Sequence, residues 1–206
     1  MIELLPLFAG VVLAQLAPGP NLLATASSAI GTGRVAGLLT AAGIATGVFV
    51  WAVLFSLGIG ALLEAAPAAL TALKLLGGTY LVWIGIKALG RSVQSRNWAA
   101  PPPRRPRRPF LTGLGVVLTN PKAAMMWVAV SAYLAGIGVS GASILPVGAS
   151  VAASALAVYG GYAWLFSTGP ATGLYARFFR WIEAGFGTLF AVIGARLAWD
   201  GLRALR

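Results

Sequence analysis

Two short motifs carry the residue types from which an anion receptor can be built: Ala17-Pro18-Gly19-Pro20-Asn21 and Thr119-Asn120-Pro121-Lys122. Proline lacks a backbone N–H and clashes with the turn before it, so each motif should end one helix and begin another. Asn120-Pro121 reads as an N-cap followed by proline at the first helical position, a favoured start. Gly19-Pro20 can do the same. A helix start leaves unpaired N–H groups and the positive end of the helix dipole, and such ends bind anions. Lys122 adds a full charge. The candidate binding residues are therefore Pro18, Gly19, Pro20, Asn21, Asn120, Pro121 and Lys122 around a carboxylate. Gln15, the two asparagine amides and the carbonyls freed before each break stand available for an amine. Tyr133, Tyr159, Tyr162, Trp83 and Trp127 have the chemistry to line such a cavity, although packing or an interfacial belt accounts for them equally well.

Both motifs lie inside long apolar runs. The chain of 206 residues is 59% hydrophobic and 9% charged, with a mean hydropathy of +0.87. A soluble domain carries about 25% charged residues, so an integral membrane protein is expected. A span needs roughly 20 apolar residues, and the length allows about six. They run over about 4–31 (broken at 18–21), 36–63, 68–90, 110–135 (broken at 120–121), 141–168 and 178–203. In hydrocarbon, broken backbone is tolerated only where protein buries it or it lines a cavity. Lys122 falls about 12 residues into its span, about 18 Å from the helix start at 1.5 Å per residue. A lysine there costs about 2.5–3.5 kcal/mol on insertion scales, and snorkelling from that depth is awkward. With no acid expected nearby, a net cation would lack a counter-ion. A neutral amino acid or similar zwitterion fits better.

There are no cysteines and no histidines, and only four acids: Glu3, Glu64, Glu183 and Asp200. Thiol redox chemistry and Cys/His metal sites are thereby excluded, a hard-cation cage is disfavoured, and no cofactor is expected. No nucleophile–base pair is visible, so an enzyme is not expected. The net charge of +11 does not indicate a nucleic-acid partner, because the arginines lie between apolar runs. The N-terminal stretch has Glu3 and no basic residue before Arg34, unlike a signal peptide, and reads as a retained helix.

Residues 1–90 form one three-helix unit, 91–109 a linker and 110–206 a second unit. The linker, Pro101-Pro102-Pro103-Arg104-Arg105-Pro106-Arg107-Arg108-Pro109, has no apolar content and should be extended. It is either a solvated topogenic cluster or a contact for anionic lipid, and cytoplasmic on both readings. The basic residues then bias the 1–2, 3–4 and 5–6 loops inward and both termini outward. The third and sixth spans align without a gap: Gly78, Ile84-Gly85 and Lys87 match Gly187, Ile193-Gly194 and Arg196, and Lys74 falls opposite Glu183. The proline breaks also fall in the first span of each half. Each half has an odd number of spans, so the halves must be inverted, the plan of many secondary transporters. The expected fold is all-α, with six transmembrane helices as two inverted three-helix repeats.

With the motifs in place, the chain resembles the LysE/RhtB family of amino-acid exporters. The resemblance rests on residues 17–21, Gly37 to Gly47, Leu73 to Lys87 and Thr119-Asn120-Pro121-Lys122. It implies a bacterial inner-membrane protein, a homodimer, and export driven by the proton-motive force, with the motif residues Pro18, Gly19, Pro20, Asn21, Asn120, Pro121 and Lys122 at the site. The chain departs from the family pattern where Ala132-Tyr133 replaces a Pro-Gln pair, and where Val48 and Ala155 stand in place of intramembrane acids. Such acids are the usual proton relays. Two other readings remain: a non-transporting scaffold or lipid-interaction subunit, and a carrier for another small metabolite.

Overall fold

The computed structural model describes residues 4–65, 67–94, 101–168 and 171–204. It contains helices α1 (Leu4–Leu16), α2 (Pro20–Thr32), α3 (Arg34–Ala65), α4 (Pro67–Gln94), α5 (Pro109–Leu118), α6 (Pro121–Gly136), α7 (Ile144–Phe166) and α8 (Ala171–Arg203), with a 3-10 turn, Gly141–Ser143, before α7. No strand occurs among the described residues. Both expected breaks are present: α1 and α2 meet at 47°, α5 and α6 at 58°. Among the described residues, three helices are long and apolar enough to cross a membrane, and the two bent pairs, each taken as one span, bring that number to five. The 28-residue α4 is not among the five.

Glycine decides how closely the long helices approach. α3 lies on α5, where a Cβ at Gly43 would strike the Phe110 carbonyl and one at Gly113 the Thr40 carbonyl. α4 and α8 run antiparallel. A Cβ at Gly78 would stand 2.7 Å from the Gly194 oxygen, and one at Gly85 2.7 Å from the Gly187 oxygen. Such small-residue seams let backbones pack where lipid supplies no hydrophobic drive between helices. Large apolar side chains point outward instead, among them Val35, Leu57, Leu76 and Ile86. On α8 the exposed Trp181 and Trp199 stand 18 residues apart, about 27 Å along the axis, close to the roughly 30 Å hydrocarbon thickness that interfacial tryptophans flank.

Two sequence expectations need correction. The last helix begins at Ala171 rather than near 178. That places Glu183 well inside the helix, where it is 0% exposed. Residues 101–108 form no helix, as expected, but they are not simply solvated. The Arg104 N–H donates to the Ser27 carbonyl (3.0 Å) and Thr32 Oγ1 donates to the Arg104 carbonyl (3.3 Å). Gly31 makes room, since a Cβ there would collide with the Arg104 main chain. The linker is thus strapped to the end of α2.

Candidate functional site

The two severed spans bring their new helix starts together. At the first break the backbone unwinds over 17–19, with Gly19 extended (φ −175°, ψ −178°) at the N-cap and Pro20 opening α2. At the second, Asn120 caps α6 ahead of Pro121, its Oδ1 accepting from the Lys122 N–H (3.0 Å). The amide Nδ2 of Asn120 then donates to Asn21 Oδ1 (3.2 Å). The two starts are therefore joined side chain to side chain, in a buried place. Asn21 in turn donates through Nδ2 to Tyr159 Oη (3.3 Å).

Lys122 turns its ammonium inward. Nζ donates to the Ala14 carbonyl (3.1 Å) and lies 4.4 Å from the centre of the Phe186 ring. A Cβ at Gly19 would come within 3.7 Å of it. The Ala14 carbonyl belongs to the last turn of α1, where the break removes partners. The next freed acceptor, the Leu16 carbonyl, takes the Tyr162 hydroxyl (2.7 Å). So two of the carbonyls expected to hold an amine, both at the first break, are already engaged by Lys122 and Tyr162 in this conformation. Gln15 donates through Nε2 to the Val151 carbonyl (3.2 Å) and accepts from Ser154 Oγ (3.1 Å). Together, α7 braces the broken end of α1 through Val151, Ser154 and Tyr162, and Tyr159 braces the start of α2.

Of the eight residues expected at the site, Gln15, Gly19, Asn21, Asn120 and Lys122 line one small cavity. Pro18, Pro20 and Pro121 do not line it. Pro20 and Pro121 are exposed, and all three contribute the breaks rather than contact surface. The space left is about 20 Å³, roughly one water. Val48 lines it too, so one position at which an acid was looked for is apolar and faces the site. Ala155, the other, is wholly buried. Among the aromatics, Tyr159 lines the cavity and Tyr162 supports it. Trp127 is core, ring to ring with Phe55 at 6.4 Å. Trp83 is half exposed beneath Lys87, away from the site.

The expectation that no carboxylate lies near Lys122 is wrong. Glu183 is fully buried and accepts two hydrogen bonds from Arg91, Nε to Oε1 (3.1 Å) and Nη2 to Oε2 (3.0 Å). Such a fork is the strong form of ion pair. Glu183 is also near enough to Lys122 for the two charges to interact, and so is Arg91. Glu183 lies one helical turn from Phe186, the residue under the Lys122 ammonium. The sequence signal was available, an acid in a glycine-rich apolar helix, but the late helix start put it at the membrane edge.

A polar cluster of this kind, closed inside an apolar helical protein with one lysine at a double break, suits capture of a small charged solute. A family model of LysE type translocators matches residues 12–201. The chain belongs to that family. It is therefore a multi-pass membrane transporter and not an enzyme. Among similar proteins, the threonine efflux protein of Escherichia coli (strain K12) is 30% identical over 190 residues, covering 90% of this chain and 92% of that one. The leucine efflux protein of Enterobacter sp. (strain 638) is 34% identical over 120 residues, 58% of this chain and 57% of its own. No solved structure matches this LysE type translocator.

Proposed function

We propose that this translocator exports neutral amino acids or closely related zwitterions across the bacterial inner membrane by alternating access, coupled to the proton-motive force. The observation that carries the reading is the placement of Lys122, an ammonium held between two helix starts joined by the hydrogen bond from Asn120, the cap of α6, to Asn21 in the first turn of α2. Those starts offer N–H groups and positive dipole ends, and Lys122 offers a charge that can leave the Ala14 carbonyl for a substrate carboxylate. The efflux proteins of threonine and leucine among its relatives support amino acids as the class.

The six-span inverted repeat is part of the reading, with α4 as the third span. The gapless alignment equates Gly78 with Gly187 and Gly85 with Gly194. The contacts run crosswise, Gly78 on Gly194 and Gly85 on Gly187, the exchange a two-fold axis between antiparallel helices produces. The basic linker, on the same end as Lys87 and Arg91, supports a cytoplasmic position for 91–109.

Coupling then has a group to act through. Val48 and Ala155 supply no acid, but Glu183 does. It faces Arg91 from α4 and Lys122 from α6. Protonating it would loosen the Arg91 fork and change the field at Lys122 in one event. The test is efflux of labelled threonine and leucine from loaded cells, with and without an uncoupler. Efflux of at least one solute above the empty-vector rate, abolished by the uncoupler, is expected. Equal rates with and without the protein would overturn the export reading, and uncoupler-insensitive efflux would overturn the coupling.

A further inference from the structure

We infer that a second cavity, rimmed by Lys74, Arg196 and Asp200, is a separate substrate subsite, a vestibule that takes the charged head of an aliphatic amino acid on the far side of Met126 from Lys122. The inference rests on the export reading above and extends it to a second place of binding.

The cavity measures about 440 Å³, within the usual range of small-molecule sites, whereas the space at Lys122 holds about one water. Its walls are apolar, built from side chains such as Met126, Val130, Phe190 and Ile193. Its charges are few and of both signs. Lys74 comes from α4, and Arg196 and Asp200 stand one turn apart on α8. No salt bridge among the described residues joins any of the three. Two cations and one carboxylate beside an apolar pocket match the groups of an aliphatic amino acid: the guanidinium fork and ammonium for its carboxylate, Asp200 for its ammonium, and the walls for its side chain. Charges at a membrane interface alone would explain Lys74, Arg196 and Asp200, but not their position around a chamber of this size.

The partition between the two cavities is thin and adaptable. Met126 lines both, and methionine is the apolar side chain that most readily changes shape. Phe190 lines the vestibule and stacks on Phe186 at 4.3 Å, the ring under the Lys122 ammonium. Along one face of α8 the order is Glu183, Phe186, Phe190, Ile193, Leu197. The Arg91–Glu183 fork thus lies on one side of Lys122 and the vestibule on the other. The fork closes one approach while the vestibule keeps the opposite one roomy.

The chain has no cysteine, so a single reporter can be placed on the cavity wall. Gly136 lines the vestibule, and a Cβ there meets nothing within 4 Å. In proteoliposomes, the maleimide-labelling rate of Gly136→Cys is measured against L-leucine concentration. Leucine is expected to slow labelling, with the half-protecting concentration raised about tenfold or more, equivalent to at least about 1.4 kcal/mol, by Lys74→Gln with Arg196→Gln. Protection is expected to survive Lys122→Ala, or Lys122→Met should that variant accumulate better. No protection, or protection indifferent to the double change, would overturn the vestibule site. Protection lost with Lys122 would also overturn it, since the effect would then arise at the deeper site. Leucine counterflow measured in the same vesicles reads the export function independently, so failure of that reading is recognised separately.

Discussion

Asn120 does two things at once: its Oδ1 caps α6 by accepting from the Lys122 N–H, and its Nδ2 makes the link to Asn21. Replacing it with alanine removes a cap worth about 1 kcal/mol and leaves the buried Asn21 Oδ1 without its donor, about a further 1–3 kcal/mol. Asn120→Ala should therefore lower the unfolding temperature in detergent and reduce transport together, whereas Asn120→Asp, which keeps the capping oxygen but loses the donor to Asn21, should recover only the smaller, capping share of the stability. Equal melting temperatures for Asn120→Ala and the parent would contradict the role given to this side chain. Glu183 makes a different kind of prediction. Arg91→Ala leaves a carboxylate buried and uncompensated, which costs several kcal/mol in a closed interior. The figure should fall low in that range, because Arg91 is 43% exposed. Glu183→Gln keeps the shape and removes the charge. It should accumulate normally yet exchange amino acid without responding to an imposed pH gradient. A Glu183→Gln protein that still concentrates solute against a gradient when protons are supplied would remove Glu183 from the coupling step.

At the scale of elements, the seams make sharper demands than the apolar stripes. Gly78 and Gly85 face main chain of α8, and no rotamer change in a neighbour can absorb a branched side chain there. Gly78→Val should lower the yield of folded protein strongly, while Gly90→Val, at a glycine where an added Cβ meets nothing, should be tolerated; size-exclusion profiles of the two variants make the comparison. The helix breaks were legible in the sequence because proline acts locally, through a missing donor and a fixed φ. Pairing of the two breaks was legible too, since each motif interrupts a long apolar run with proline and asparagine, and the two asparagines are the residues that meet. The docking of Arg104 on α2 was not. A Pro/Arg segment has a composition that excludes a core but says nothing about which carbonyl its backbone will meet, and only Gly31 hinted at a close approach. The bracing by Ser154, Tyr159 and Tyr162 was likewise out of reach, because polar residues in an apolar helix do not reveal which broken end they face. Glu183 was misjudged for a single reason, a boundary about seven residues late. The strap predicts that Gly31→Val, by displacing residue 104, perturbs α2 and hence the start that carries Asn21. Its transport should fall more than that of a variant with Arg104, Arg105, Arg107 and Arg108 all replaced by glutamine, which keeps the main-chain contacts.

For the whole molecule, the arrangement divides into a fork of Arg91 and Glu183, a cramped polar centre at Lys122, and a roomier chamber beyond Met126. A carrier closed on one side and open on the other has this asymmetry, and under the proposed inverted repeat the crosswise glycine contacts of α4 and α8 lie where the two halves meet. The two relatives are named as efflux proteins of threonine and leucine, solutes that share an α-amino acid head. A centre that grips that head and leaves the side chain to apolar walls serves such a range. The account stands or falls on that grip. The most direct measurement is the initial rate of labelled leucine or threonine efflux from preloaded proteoliposomes containing the parent protein or Lys122→Ala at matched amounts of folded protein. Losing a charge that pairs with the substrate inside a closed site costs about 2–5 kcal/mol, so the account predicts a fall of at least about thirtyfold. Parent-like efflux by the alanine variant would contradict it.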